Sequence, residues 1–217
     1  MPRESLDSKK SRARRILRLL RRRYPNAKCA LNFENVHQLM VATILSAQCT
    51  DQRVNLVTKD LFQKYPSIRD FADANITELE NDVRSTGFFR NKAKSIQRSA
   101  QQLLEEYGGE IPKTIDQLTQ LAGVGRKTAS VILGTGYGIA EGIVVDTHVS
   151  RISRLLGFTR RNEAVKIEQE LMQIIPKKDW IDFSHLLIHH GRAICIARRP
   201  RCPECPLKKL CPSAKLE

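Results

Sequence analysis

Six residues of this 217-residue chain have the types and spacing to do chemistry: Lys127, Asp146, Cys195, Cys202, Cys205 and Cys211. The cysteines run Cys195-x6-Cys202-x2-Cys205-x5-Cys211. Four thiolates in so short a span can close around one centre. Structural zinc generally takes two close cysteine pairs. Only Cys202 and Cys205 form such a pair here, so the spacing favours a [4Fe–4S] cluster held by four thiolates over zinc. After Met1-Pro2-Arg3 the chain turns charged, without the apolar core of an export signal, so a disulfide framework is not expected. Cys29 and Cys49 stand apart from this group. Arg192, Arg198, Arg199 and Arg201 are interleaved with it, and loops strapped around a cluster would turn them outward toward phosphate.

Lys127 lies in Leu121-Ala-Gly-Val-Gly-Arg-Lys-Thr-Ala129. Gly123 and Gly125 predict a tight turn between two helices, the second starting near Arg126, because they tolerate dihedrals and close approaches that a Cβ forbids. Amides exposed at that second N-terminus, helped by the helix dipole, can hold a DNA phosphate without reading sequence. The contacts expected of this helix-hairpin-helix are Gly123, Val124, Gly125, Arg126 and Thr128; an ordinary helical corner with a glycine cap is the competing reading. A nucleotide P-loop fits less well, lacking both the Gly-x4-Gly-Lys spacing and a preceding strand. The dipole at Lys127, and partial burial if present, would disfavour its charge and leave an amine able to attack carbon. Asp146, in Val145-Asp-Thr-His148, precedes a helical segment. Its ordinary role is an N-cap, and it could equally present a carboxylate to the same chemistry.

The elements that must hold these residues read as helices. Apolar spacing of three and four predicts them over 33–48, 51–65, 91–107, 126–133, 147–156, 163–175 and 180–194. Asn75-Ile-Thr-Glu78 and Thr114-Ile-Asp-Gln117 have capping-box spacing. Ile16, Leu17, Leu19 and Leu20 form an apolar stripe on a basic N-terminal helix, as a docked surface helix would. Ile143-Val144-Val145 is the one strand-like run and has no evident partner. The fold class is therefore all-α.

Charge narrows the partner. Lys plus Arg number 37 against 23 for Asp plus Glu, a net charge of +14 and a pI near 9.8. An excess of that size points to a polyanion, with a basic surface kept for solubility as the alternative. No run reaches the ~20 apolar residues that span a bilayer. A cytosolic protein, nucleoid-associated in a bacterium, is expected. His148, His185, His189 and His190 are read as packing or phosphate-facing groups.

In this order the motifs resemble those of the endonuclease III family, over about Arg14 to Cys211. The segments that carry the resemblance are Leu45-Ser-Ala-Gln-Cys-Thr-Asp51, Thr86-Gly-Phe-Phe-Arg-Asn-Lys-Ala93, the glycine hairpin, Val145-Asp-Thr-His148, and His190-Gly-Arg-Ala-Ile-Cys195 with its cysteine spacing. The resemblance implies a six-helix barrel domain at 29–140, with the hairpin at about 114–135. It implies a second helical domain from 1–28 plus 141–217 carrying the [4Fe–4S] cluster, with a DNA cleft between the two. It also implies removal of oxidised pyrimidines flipped from duplex DNA, then cleavage at the abasic site. Lys127 matches the nucleophile that forms a Schiff base at C1′ and cuts the strand by β-elimination. Asp146 matches the carboxylate that supports the oxocarbenium-like transition state. Gln48 matches the residue filling the gap left by the flipped base. Phe88 aligns with an apolar wedge, commonly Leu, and a core phenylalanine is its alternative. Between Lys127 and Asp146 the chain looks one residue longer than the family's familiar form, around 137–142, which bears on base preference. Related mismatch glycosylases usually lack this lysine, and those for adenine carry a further C-terminal domain; this chain stops six residues after Cys211. A monomer is expected, one lesion needing one copy. A monofunctional mismatch glycosylase and a non-catalytic DNA clamp are the alternatives.

Overall fold

The computed structural model describes residues 4–215; the opening Met1-Pro2-Arg3 lies outside them. Eleven α-helices occur among these residues: α1 (Leu6–Arg23), α2 (Val36–Leu45), α3 (Asp51–Lys64), α4 (Ile68–Ala72), α5 (Ile76–Asp82), α6 (Phe89–Tyr107), α7 (Ile115–Leu118), α8 (Arg126–Val131), α9 (Thr147–Leu155), α10 (Ala164–Ile174) and α11 (Trp180–Ala193). No strand is present among the described residues, so the protein is all-α. Ile143-Val144-Val145 enters α9 as extended chain, with Val144 O accepting from Ser184 Oγ at 3.0 Å. No helix among the described residues is long and apolar enough to cross a membrane.

The chain divides into two compact units, Cys29–Glu141 and Met1–Lys28 with Gly142–Glu217. In the continuous unit, α6 is the longest helix. Ala93, Ile96, Ala100 and Leu103, three and four apart, give it a fully buried stripe. Met40, Val41, Leu45, Val54, Phe71, Leu79, Leu118 and Leu133 belong to the same core. The starts of the short helices are fixed by side chains. Asn75 Oδ1 accepts from Thr77 N and Glu78 N, and Thr114 Oγ1 accepts from Gln117 N. The complete reciprocal box closes at Ser67 and Asp70, a pair the Glu/Gln rule passes over.

In the discontinuous unit, α1 buries Ala13, Ile16, Leu17 and Leu20; Leu19 is only half-buried. Arg12, stacked over Phe158 at 4.8 Å, donates to Leu156 O at 2.7 Å and Leu210 O at 3.1 Å. That bonding fastens α1 to the end of α9 and to the cysteine-bearing loop.

Candidate functional site

In the continuous unit the hairpin is built as its glycines require. Gly123 has φ +75°, and a Cβ there would lie 2.6 Å from Ser95 Cβ on α6. Both reasons for glycine apply to it. Gly125 is different: it caps α8 in extended backbone (φ −84°, ψ 174°), and the space where its Cβ would go is open for 4 Å. Gln102 of α6 braces the turn, its Oε1 accepting from Ala122 N at 2.8 Å and its Nε2 donating to Gln120 O at 3.2 Å. Val124 is buried, whereas Gly123, Gly125, Arg126 and Lys127 are exposed and Thr128 is half-buried. Lys127 thus stands in the first turn of α8 as an exposed amine; the partial burial considered for it is not found. Beyond Val131 the helix loosens into a π-turn at Ile132–Gly136.

Gln48 and Phe88 are the two non-glycine residues with positive φ among the described residues, at 52° and 47°. Side chains rarely take this left-handed region, at a cost of about 1–3 kcal/mol, and such strain clusters at functional positions. Both are exposed, Phe88 to 64% of its surface. That exposure removes the core alternative for Phe88. Lys92, a residue of the Thr86–Ala93 segment, is only 5% exposed and donates from Nζ to Leu45 O and Thr86 O, each at 2.8 Å. Burial pushes its pKa below the usual lysine value. The sequence did contain a signal, because Lys92 is in register with the buried stripe Ile96, Ser99 and Leu103.

In the discontinuous unit, Asp146 caps α9, Oδ1 accepting from Val149 N at 2.8 Å. The cap reading is therefore realised, on a half-buried carboxylate. All four of Cys195, Cys202, Cys205 and Cys211 line one cavity of about 250 Å³. A zinc ion with 2.3 Å bonds would need its sulfurs about 3.8 Å apart. Among the described residues no three His, Cys, Asp or Glu side chains come together tightly enough to hold one metal ion. Four thiols lining one cavity are a donor set that fits a four-iron cluster, one thiolate per iron. Burial pushes the Cys195 and Cys211 thiols up and Cys205 to about 11; at Cys195 the Arg151 guanidinium opposes the rise. Arg151 donates to Cys195 O at 2.6 Å, and Cys205 Sγ lies 3.5 Å from His190 Nε2, whose ring also meets Tyr24 Oη at 3.1 Å. His190 is buried, and burial with the nearby Arg151 charge lowers its pKa to about 4, so it is a packing group; His148 Nδ1 lies 3.4 Å from Arg151 Nη2. His189 contacts Lys28 O, and His185 is half-buried. Arg192, Arg198, Arg199 and Arg201 are all exposed.

Residues 41–177 match the HhH-GPD superfamily base excision DNA repair protein. Endonuclease III of Synechocystis sp. is 51% identical over 208 residues, covering 96% of this chain and 95% of its own. A solved non-covalent endonuclease III–DNA complex superposes with TM-score 0.89 at 45% identity, covering 94% of this chain and 96% of that one. A trapped endonuclease III–DNA covalent intermediate does so with TM-score 0.89 at 44% identity and the same coverage. With a family match over residues 41–177 and half of its residues shared with a full-length relative, the chain belongs to the HhH-GPD superfamily and, within it, to the endonuclease III family.

Proposed function

We propose that the chain is a bifunctional base-excision enzyme, a DNA glycosylase and abasic-site lyase that removes oxidised pyrimidines from duplex DNA. The observation that carries this reading is Lys127: an exposed amine directly behind a glycine hairpin, in a chain 44% identical to a protein trapped as a covalent DNA intermediate. Lys127 Nζ attacks C1′ of the damaged nucleotide. The C1′–N bond breaks, the base leaves with its electron pair and takes up a proton, and opening of the sugar gives an imine on Lys127. Loss of a C2′ proton then expels the 3′ phosphate by β-elimination, and water releases the lysine. Asp146 supports the positive charge that builds on the sugar as the base departs. Gln48 fills the gap left by the flipped base, and Phe88 wedges the opened step, where an aromatic ring can stack. The amides of Gly123, Gly125 and Arg126, with Thr128, grip backbone phosphate; buried Val124 shapes the turn, its own amide donating to Leu121 O at 3.1 Å, and the open space at Gly125 leaves room for the phosphate.

Cys195, Cys202, Cys205 and Cys211 would hold a [4Fe–4S] cluster, whose contribution when bound is to fix the surrounding loops. Exposed Arg198 and Arg199 then meet phosphate, while Arg201 braces the loop by donating to Ala193 O and pairing with Glu204. We take the enzyme to act as a monomer, in the cytoplasm and on the nucleoid if its source is bacterial.

The test is borohydride trapping on a duplex with one thymine glycol, comparing the unaltered chain with Lys127→Ala. An adduct that requires Lys127 is the expected result. Base release without an adduct in the unaltered chain would make it a monofunctional glycosylase instead.

A further inference from the structure

Gln48 and Phe88 sit on different loops, and both hold the left-handed backbone that side chains avoid. Such geometry persists only where the surroundings dictate it. One buried group reaches both loops. Lys92 Nζ donates to Leu45 O, the last residue of α2 and three positions before Gln48, and to Thr86 O, two positions before Phe88. Its own amide donates to Phe88 O at 3.1 Å. We propose that Lys92 is a positioning residue that locks Gln48 and Phe88 into one paired insert for the opened duplex.

Lysine suits this task. Its ammonium offers several donors on a stem that passes through the core, and a carbonyl at a helix C-terminus sits at the negative end of the dipole. Both hydrogen bonds of the Lys92 ammonium go to neutral carbonyls, an arrangement that leaves a buried cation incompletely compensated. A core that needed only filling would take an apolar side chain in the register of Ile96 and Leu103. The ammonium instead ties together two segments far apart in sequence, and Lys92 itself is too buried to touch DNA.

The inference rests on the duplex-opening roles proposed above for Gln48 and Phe88, and its test separates the two. Lys92→Met keeps the length of the side chain and removes the donors. Single-turnover cleavage of a thymine-glycol duplex should slow about tenfold or more, as misplacement of positioning groups does. Borohydride trapping on a single-stranded abasic oligonucleotide, which needs no wedge or gap-filler, should change less than about twofold. Fluorescence of 2-aminopurine opposite the lesion should report less opening. Gln48→Ala combined with Lys92→Met should be no slower than the slower single variant, because both changes act through one insert. Lys92→Arg, keeping the cation and its donors, should recover part of the duplex rate. Equal losses on duplex and single strand, or losses that multiply in the double variant, would overturn the assignment. If Lys92→Met does not fold, Lys92→Gln, which keeps one donor group, should fall between; a duplex rate equal to the unaltered chain's would overturn it. Failure of the unaltered chain to trap on either substrate would count against the proposed function and not against Lys92.

Discussion

Asp146 shows how one side chain can hold two jobs. Its bond to Val149 N makes it a helix cap, and caps lost to alanine cost about 1 kcal/mol. Asparagine caps as well as aspartate does, so Asp146→Asn removes the charge and spares the helix. Turnover on a thymine-glycol duplex should fall about a hundredfold or more, with the melting temperature nearly unchanged. Retained turnover would leave Asp146 as a cap alone. His37 makes a second residue-scale prediction. It is buried against the Phe71 ring at 5.4 Å, its Nε2 has no hydrogen-bond partner, and burial lowers its pKa to about 4. The folded chain thus refuses a proton that the unfolded chain accepts near pH 6.5. The associated stability is complete above that pH and drains away as pH falls toward 4, by about 3 kcal/mol in full. His37→Leu should lose less stability between pH 7 and 4.5 than the unaltered chain in urea titrations. The residues at this scale were unequally legible. Lys127, Asp146 and the cysteines carry their chemistry in type and spacing. The left-handed backbone of Gln48 and Phe88 is written in no local pattern of Leu45–Asp51 or Thr86–Ala93, since neither position is a glycine.

Among the elements, α6 governs most of what the continuous unit presents. Phe88 precedes it, Lys92 reaches two loops, Ser95 receives Gly123, and Gln102 braces the hairpin. The two hairpin glycines should therefore respond differently. Gly123→Ala meets Ser95 and a positive φ at once, and should cost about 1–3 kcal/mol. Gly125→Ala meets nothing in the protein; it should keep the melting temperature and weaken duplex binding. Equal melting losses would show that Gly125 serves the fold instead. Helices with strong periodicity were readable to within a few residues: 91–107 was expected where Phe89–Tyr107 forms, and 180–194 where Trp180–Ala193 forms. Weak periodicity hid Ile68–Ala72, five residues long. Ile143-Val144-Val145 looked like a strand because β-branched residues mark burial as readily as sheet; Ile143 and Val145 are buried beside a helix start.

Across the whole molecule the charge of +14 sets the binding regime. Raising salt from about 50 to 200 mM should weaken duplex affinity by about a thousandfold if some six phosphates are neutralised. A flat response in a filter-binding titration would deny the electrostatic grip. The cysteine-bearing unit draws on both ends of the sequence, residues 1–28 and 142–217, while residues 29–141 form the other alone. On the ribosome this order has a cost in time. α1 emerges ahead of the 29–141 unit, with Ile16, Leu17 and Leu20 bare, yet α10 and α11, the helices it packs on, are complete only at Ile174 and Ala193. At about 5–20 residues per second the wait is roughly 9–34 s. Throughout it the nascent chain exposes a greasy, arginine-rich segment beside a finished neighbour, an opening for a chaperone.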